Sequence, residues 1–253
     1  MREAVLAQKI SSKLYLEEFG ESLRGLCKGL RVDLTSVSLM ENNWVKVNVC
    51  GEDEKAAVSF LEKTMGLAPI NLRNVERFSI LRGRAAFSGR SRERVFVDVG
   101  VFSPRHVYAV LPLQRLQGQL VSGREFTLER IVELFGLVDD FPLEVRVIKA
   151  DVDELDVELT EKQLELYSRW IGSRVDRLVV LGALGRRVRE AVWKARLRRD
   201  VVGVESLGIL EHAVVCKLGT DGAGLVPILG RHLLKENFVA FCPRRVLKLT
   251  GAS

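Results

Sequence analysis

Long apolar runs are what this sequence most plainly lacks: stretches such as Leu178-Val179-Val180-Leu181 fall far short of the ~18 residues that a membrane span needs. Met1 to Ile10 also lacks the apolar core of a signal peptide, so the expected location is the cytoplasm, with no membrane partner. Cysteine is scarce. Cys27, Cys50, Cys216 and Cys242 are far apart and form no Cys-x-x-Cys, which argues against a disulfide framework, a zinc site or a redox pair. Histidine is scarcer still, and His106, His212 and His232 have no metal-like partners at short spacing. No P-loop, dinucleotide fingerprint or nucleophile elbow occurs. The expectation is a non-catalytic protein that needs neither metal nor cofactor.

What is there is enough for a folded protein. The 253 residues are 47% hydrophobic and 28% charged, which allows one large domain or two to three small ones. The net charge of +6 conceals segregation along the chain. Residues 1 to 72 carry a net of −1, Arg73 to Arg124 a net of +7, residues 125 to 158 a net of −8, and residues 161 to 253 a net of +8. Seven bases crowd between Arg186 and Arg199. Two basic surfaces separated by an acidic one suit a polyanion, because each neutralised phosphate releases counterions; solvated ion-pair networks are the plainer alternative.

The pattern of elements divides the chain into three. In residues 1–74, Ala4 to Ile10 reads as a strand, Ser11-Ser12 as the cap of a helix carrying Leu14, Leu16, Phe19 and Leu23, and Val32 to Leu39 and Trp44 to Val49 as a hairpin around Glu41-Asn42-Asn43. Glu52 to Met65 reads as a second helix and Pro69 to Leu72 as a closing strand, giving the β-α-β-β-α-β order of a ferredoxin-like fold. The last segment, 161–253, repeats that order after a linker helix from about Glu161 to Trp170. Its elements are strand Val175 to Leu181, helix Leu184 to Arg199, a hairpin around Gly208, helix Ala223 to Leu234 and strand Phe238 to Cys242. Between them, residues 75–160 hold five strand-like runs with an inserted helix at Thr127 to Phe135, which suggests an OB-fold barrel. The expected class is thus α+β in three domains.

Within that barrel, Arg94-Val95-Phe96-Val97-Asp98-Val99-Gly100 and Ala109-Val110-Leu111-Pro112-Leu113-Gln114-Arg115-Leu116 resemble the second and third strands of RNA-binding OB-folds of the ribosomal-protein S-one type. Leu143 to Asp151 and Asp156 to Leu159 are similar to the last two strands in the alpha subunit of archaeal initiation factor two. The whole arrangement resembles an archaeal family, domain of unknown function twenty-one-ten. That resemblance implies an S-one-like middle between two α/β domains and no established activity, whereas the likeness of the barrel strands to the S-one type implies binding of RNA. Pro112 stands where the S-one type commonly has an RNA-facing His, and Glu93 where it often has an aromatic.

Strand alternation says which side chains could carry binding. With Val95, Val97 and Val99 inward, Arg94, Phe96 and Asp98 face out; with Val107, Ala109 and Leu111 inward, His106 and Tyr108 face out beside them. Phe96 and Tyr108 would stack unpaired bases while Arg82, Arg84, Arg94 and Arg105 hold phosphates, unless the rings pack under a neighbouring domain. On the Leu184 helix, Arg186, Arg189, Trp193, Arg196 and Leu197 fall on the face away from the apolar stripe. The arginines are read as phosphate contacts; Trp193 could stack on a base or anchor a protein interface, and a seam with the barrel is the slightly favoured place for it. Leu218-Gly219-Thr220-Asp221-Gly222-Ala223-Gly224 reads as a helix cap rather than an anion loop, and Asp139-Asp140 and Asp151-Asp153-Glu154-Asp156 as solvated acids. The expected partner is RNA, single-stranded or ribosomal. The alternative is a protein-interaction module on the ribosome or RNA polymerase, and a nucleic-acid-modifying enzyme is a more distant third.

Overall fold

The computed structural model describes all residues except 11–13, 88–90, 152–153 and 252–253. The proposed Ser11-Ser12 cap, Arg90 and Asp153 therefore lie outside the described residues. In the N-terminal part, β1 (Arg2–Lys9), α1 (Leu14–Leu26), β2 (Val32–Leu39), β3 (Trp44–Gly51) and α2 (Glu54–Met65) form an antiparallel sheet in the order β1-β3-β2. Strand β3 buries Val45, Val47 and Val49 and leaves Lys46 and Asn48 half-buried, the alternation of a sheet with one face on the core. Asn42 and Asn43 turn the chain at φ 54° and 63°, values that asparagine tolerates better than most residues.

The expected fourth strand does not complete this sheet. Pro69 has no N–H to give, Ile70 sits at φ 61°, and β4 (Ile70–Asn71) pairs instead with β6 (Arg94–Ser103) of the middle sheet. On the side away from β3, β1 is flanked by the isolated bridge of Leu6 to Leu67.

The middle of the chain is a closed five-stranded barrel. Strands β5 (Ile80–Ala86), β6, β7 (Val107–Pro112), β8 (Pro142–Ala150) and β9 (Leu155–Leu159) pair in the cyclic order β5-β6-β7-β9-β8, with β7 and β9 parallel and the rest antiparallel. Val95, Val97, Val99, Ala109, Leu111, Val145, Val147 and Val157 fill it with no exposed surface. Two helices are inserted after β7: α3 (Leu113–Leu120), which the sequence pattern did not announce, and α4 (Leu128–Phe135), capped by Thr127.

Helix α5 (Glu161–Ser173) leads into β10 (Arg177–Leu181), α6 (Gly185–Lys194), β11 (Val201–Ser206), β12 (Glu211–Cys216), α7 (Val226–Leu229), β13 (Asn237–Phe241) and α8 (Pro243–Thr250). The C-terminal sheet is antiparallel in the order β11-β12-β10-β13. Three expectations are corrected here. Helix α6 stops at Lys194 because the chain turns left-handed at Arg196, and that turn folds Leu197 into the core instead of leaving it exposed. The helix expected over Ala223 to Leu234 shrinks to a 3₁₀ turn and the four residues of α7, in a stretch weakened by Gly222, Gly224, Pro227 and Gly230. Helix α8, unforeseen, packs on α4 and α5. Phe135, Tyr167, Trp170, Phe241 and Val246 make the barrel and the C-terminal sheet one continuous core. No helix among the described residues is long and apolar enough to cross a membrane.

Candidate nucleic-acid interface

The outward face of β6 and β7 carries a row of rings. Phe96 meets Tyr108 edge-on at 6.3 Å, Tyr108 leans on His106 at 4.5 Å, and His106 stacks on Phe102 at 5.3 Å and 15°. These four are half-buried; a fifth ring, Trp44 from β3, closes the row at 6.1 Å from Phe102 and is fully buried. Phe102 was missing from the sequence reading, although it continues the even-numbered alternation of Arg94, Phe96 and Asp98 along a strand that runs on past Gly100 to Ser103.

Asp98 shares this face but is not exposed, which corrects the simple alternation reading: Lys9 and Trp44 of the N-terminal sheet lie against it. Trp44 Nε1 and the Gly100 amide each donate to it at 3.1 Å, and Lys9 Nζ lies 2.7 Å from Oδ2. Burial alone would raise its pKa, but Lys9, Trp44 and Gly100 outweigh that and hold the carboxyl below its ordinary value. His106 joins the same node. Asn42 Nδ2 can only donate to His106 Nδ1, at 3.1 Å, so Nε2 carries the proton and donates to Asp98 at 3.2 Å.

The row opens into a cavity of about 290 Å³ at the junction of all three parts of the chain, lined by Tyr108, Lys9, Asn42, Arg84, Tyr15 and Lys235 among others. Arg84 forms its wall. It is 4% exposed, its Nη1 lies 2.9 Å from Glu211 Oε1, and Gln8 Nε2 donates to the same oxygen at 2.8 Å. One carboxylate from β12 thereby ties β1 and β5 to the C-terminal sheet.

The other expected residues are spread out. Arg82 is engaged by Glu144 at 3.2 Å and by the Thr64 carbonyl at 2.9 Å, and Arg94 is exposed beside Glu154 at 3.3 Å. Arg105 is exposed one residue before His106. Arg186, Arg189 and Arg196 are exposed on and just after α6. Trp193, expected in a seam, stands 60% exposed among them, because α6 turns its Val188, Ala191 and Val192 stripe to the sheet and no described residue covers its outer side. Asp221 accepts from the amides of Ala223 and Gly224, as a cap would. In the acidic stretch, Asp151, Glu154 and Asp156 are paired with Lys149, Arg94 and Arg115.

No curated protein matches the chain. A crystal structure from Thermus thermophilus aligns over 99% of this chain at 14% identity with a TM-score of 0.17, too low to carry over a fold; the aligned region is 43% of that chain's length. Residues 84–171 match the DUF2110 central domain, which takes in most of the barrel and α5, and residues 175–241 match the DUF2110 C-terminal domain, which takes in β10 to β13. Two domains of one family, in order and over more than half of the residues, place the chain in the DUF2110 family.

Proposed function

We propose that the protein is a non-catalytic binder of single-stranded RNA, acting in translation or RNA processing in the cytoplasm. The reading takes the barrel as an OB-fold of the S-one type and the flanking sheets as ferredoxin-like units. The observation that carries it is the half-buried row Phe96, Tyr108, His106 and Phe102 on the barrel's outer face, running into a cavity lined by Lys9, Arg84 and Lys235. Ring faces accept unpaired bases whatever their identity, and lysines and arginines hold the phosphates between them. Exposed Arg94 and Arg105 extend the phosphate track along the same face.

Fluorescence anisotropy of labelled single-stranded RNA tests this. Phe96→Ala with Tyr108→Ala weakens binding by roughly 2–6 kcal/mol if both rings stack, and log affinity falls steeply with log salt as counterions return. Unchanged affinity in a folded double variant overturns the reading. Exposed Trp193 among Arg186, Arg189 and Arg196 favours a second reading, a protein-docking surface, since Trp and Arg dominate such contacts. On that reading, Arg186→Glu with Arg189→Glu abolishes a nuclease-resistant complex with a ribosomal or polymerase protein and leaves RNA affinity unaltered.

A further inference from the structure

Every arginine on a barrel strand faces a carboxylate. Arg82 meets Glu144 at 3.2 Å, Arg84 meets Glu211 at 2.9 Å, Arg94 meets Glu154 at 3.3 Å and Arg146 meets Glu161 at 3.3 Å. A guanidinium beside a carboxylate presents little net charge to a phosphate, because the two fields nearly cancel at a distance. The C-terminal surface is different. Of the seven bases from Arg186 to Arg199, Arg187 reaches Glu236 at 3.6 Å. The others, Arg186, Arg189, Lys194, Arg196, Arg198 and Arg199, are exposed and form no ion pair among the described residues. The acids of this stretch, Glu190 and Asp200, form none there either. Lys217, also exposed, donates to the Arg198 carbonyl at 3.3 Å and adds its charge to the same end of the surface.

Helix geometry gathers these charges around one ring. With Val188, Ala191 and Val192 buried, the outer side of α6 carries Arg186, Arg189, Glu190, Trp193 and Lys194. Arg186 and Trp193 stand two turns apart, about 10.5 Å along the axis, with Arg189 between them. The chain then turns left-handed at Arg196, φ 57°, and a 3₁₀ turn brings Arg198 and Arg199 to the helix end. The negative end of the helix dipole, about half an elementary charge, is far too small to balance them. Their counter-charge therefore has to come from another molecule. The cores of protein interfaces are depleted in charge, and Trp193, 60% exposed, has only charged neighbours on its helix face. A lone ring flanked by guanidinium groups suits an unpaired base between phosphates better than it suits such a core.

We propose that the C-terminal surface is a second RNA contact and makes the larger share of the phosphate contacts, with Trp193 stacked on an unpaired base. The proposal rests on the RNA reading and divides the labour within it: the ring row on the barrel supplies stacking, and the unpaired cations of α6 and the turn after it supply counterion release.

Anisotropy titrations of the full chain with labelled single-stranded RNA over a series of salt concentrations test it, since the slope of log affinity against log salt counts about 0.7 counterions per phosphate contact. Arg186→Gln, Arg189→Gln and Arg199→Gln together are expected to reduce the slope by about 2, with an unchanged melting temperature because all three positions are exposed. Trp193→Ala weakens binding ~5-fold or more at an unchanged slope, as does Phe96→Ala with Tyr108→Ala. Removing the same charge from exposed Arg24, Lys28 and Lys55 leaves both affinity and slope as they were. The proposal is overturned, and the RNA reading kept, if RNA binds but the arginine variant retains its slope, or if the Arg24, Lys28 and Lys55 variant loses as much. If the arginine and Trp193 variants keep RNA affinity and lose a nuclease-resistant protein complex, the surface docks a protein and the proposal is wrong. If the wild type binds no RNA, both fall together.

Discussion

Asp98 places a carboxylate where water does not reach, and it stays charged because Lys9, itself only 16% exposed at the side chain, sits 2.7 Å away. Removing one member of a buried pair strands the other, so Asp98→Asn is expected to destabilise the protein by about 3–5 kcal/mol, read as a lower urea midpoint at pH 7. The pH dependence has a definite sign. The folded carboxyl has a pKa below its ordinary value of 3.8, so its stabilising contribution is complete above about pH 4 and disappears as pH falls through the lower folded value. The gap between wild type and Asp98→Asn should therefore be widest near neutrality and close on acidification; a gap that is constant with pH would mean that Asp98 acts through shape alone. Glu144 follows the same rule: burial opposes its ionisation, but Lys162, Thr160 and Arg82 hold its pKa down.

Among elements, β6 shows how one residue sets the course of a strand. Gly100 adopts φ 75°, inside the register shift between Asp98 and Val101, and a Cβ there would meet Ala68 at 2.5 Å and Trp44 at 3.1 Å. The close approach lets the N-terminal domain settle on the barrel and the strand continue to Phe102. Gly100→Ala thus combines an unfavourable backbone with overpacking and is expected to cost about 1–3 kcal/mol, seen as a lower melting temperature, whereas exposed Gly118→Ala, with nothing within 4 Å, should not destabilise. This scale also separates what the sequence could and could not tell. Val32–Leu39 was legible to the residue, and the Phe96–Tyr108 pair with it, because alternation is local. The loss of the expected strand at 69–72 was not, since Ile70 pairs with Val101 across thirty positions. Nor was the burial of Asp98, which needs Lys9 and Trp44 from a different sheet.

For the molecule as a whole, the three parts are joined unequally. Phe135, Tyr167, Trp170 and Phe241 give the barrel and C-terminal sheet a common apolar core, whereas the N-terminal domain keeps its own core, which Leu210, Ile209 and Leu184 reach from the C-terminal side. Polar ties to the C-terminal part add to this: Gln8 to Glu211, Tyr15 to Glu236 at 3.1 Å, and Arg187 over the Tyr15 ring at 4.8 Å. Glu211 is the hinge of this arrangement, since it answers to both Arg84 and Gln8. Arg84→Met alone leaves that carboxylate buried without its cation, and Glu211→Leu alone strands the guanidinium; each is expected to cost about 3–5 kcal/mol. With both changes no charge is left behind, and apolar groups of similar size fill the space, so the double variant should recover most of the loss. The four unfolding free energies of this cycle give the coupling directly. Strong coupling identifies the pair as the pin that holds β5 to β12, while additive losses would show that each side chain acts through its other neighbours. The same variants should report on order of opening in hydrogen exchange: with the pin weakened, amides of β1 and β3 lose protection before those of β6 or β10, because a smaller and partly polar junction yields before the larger shared apolar core.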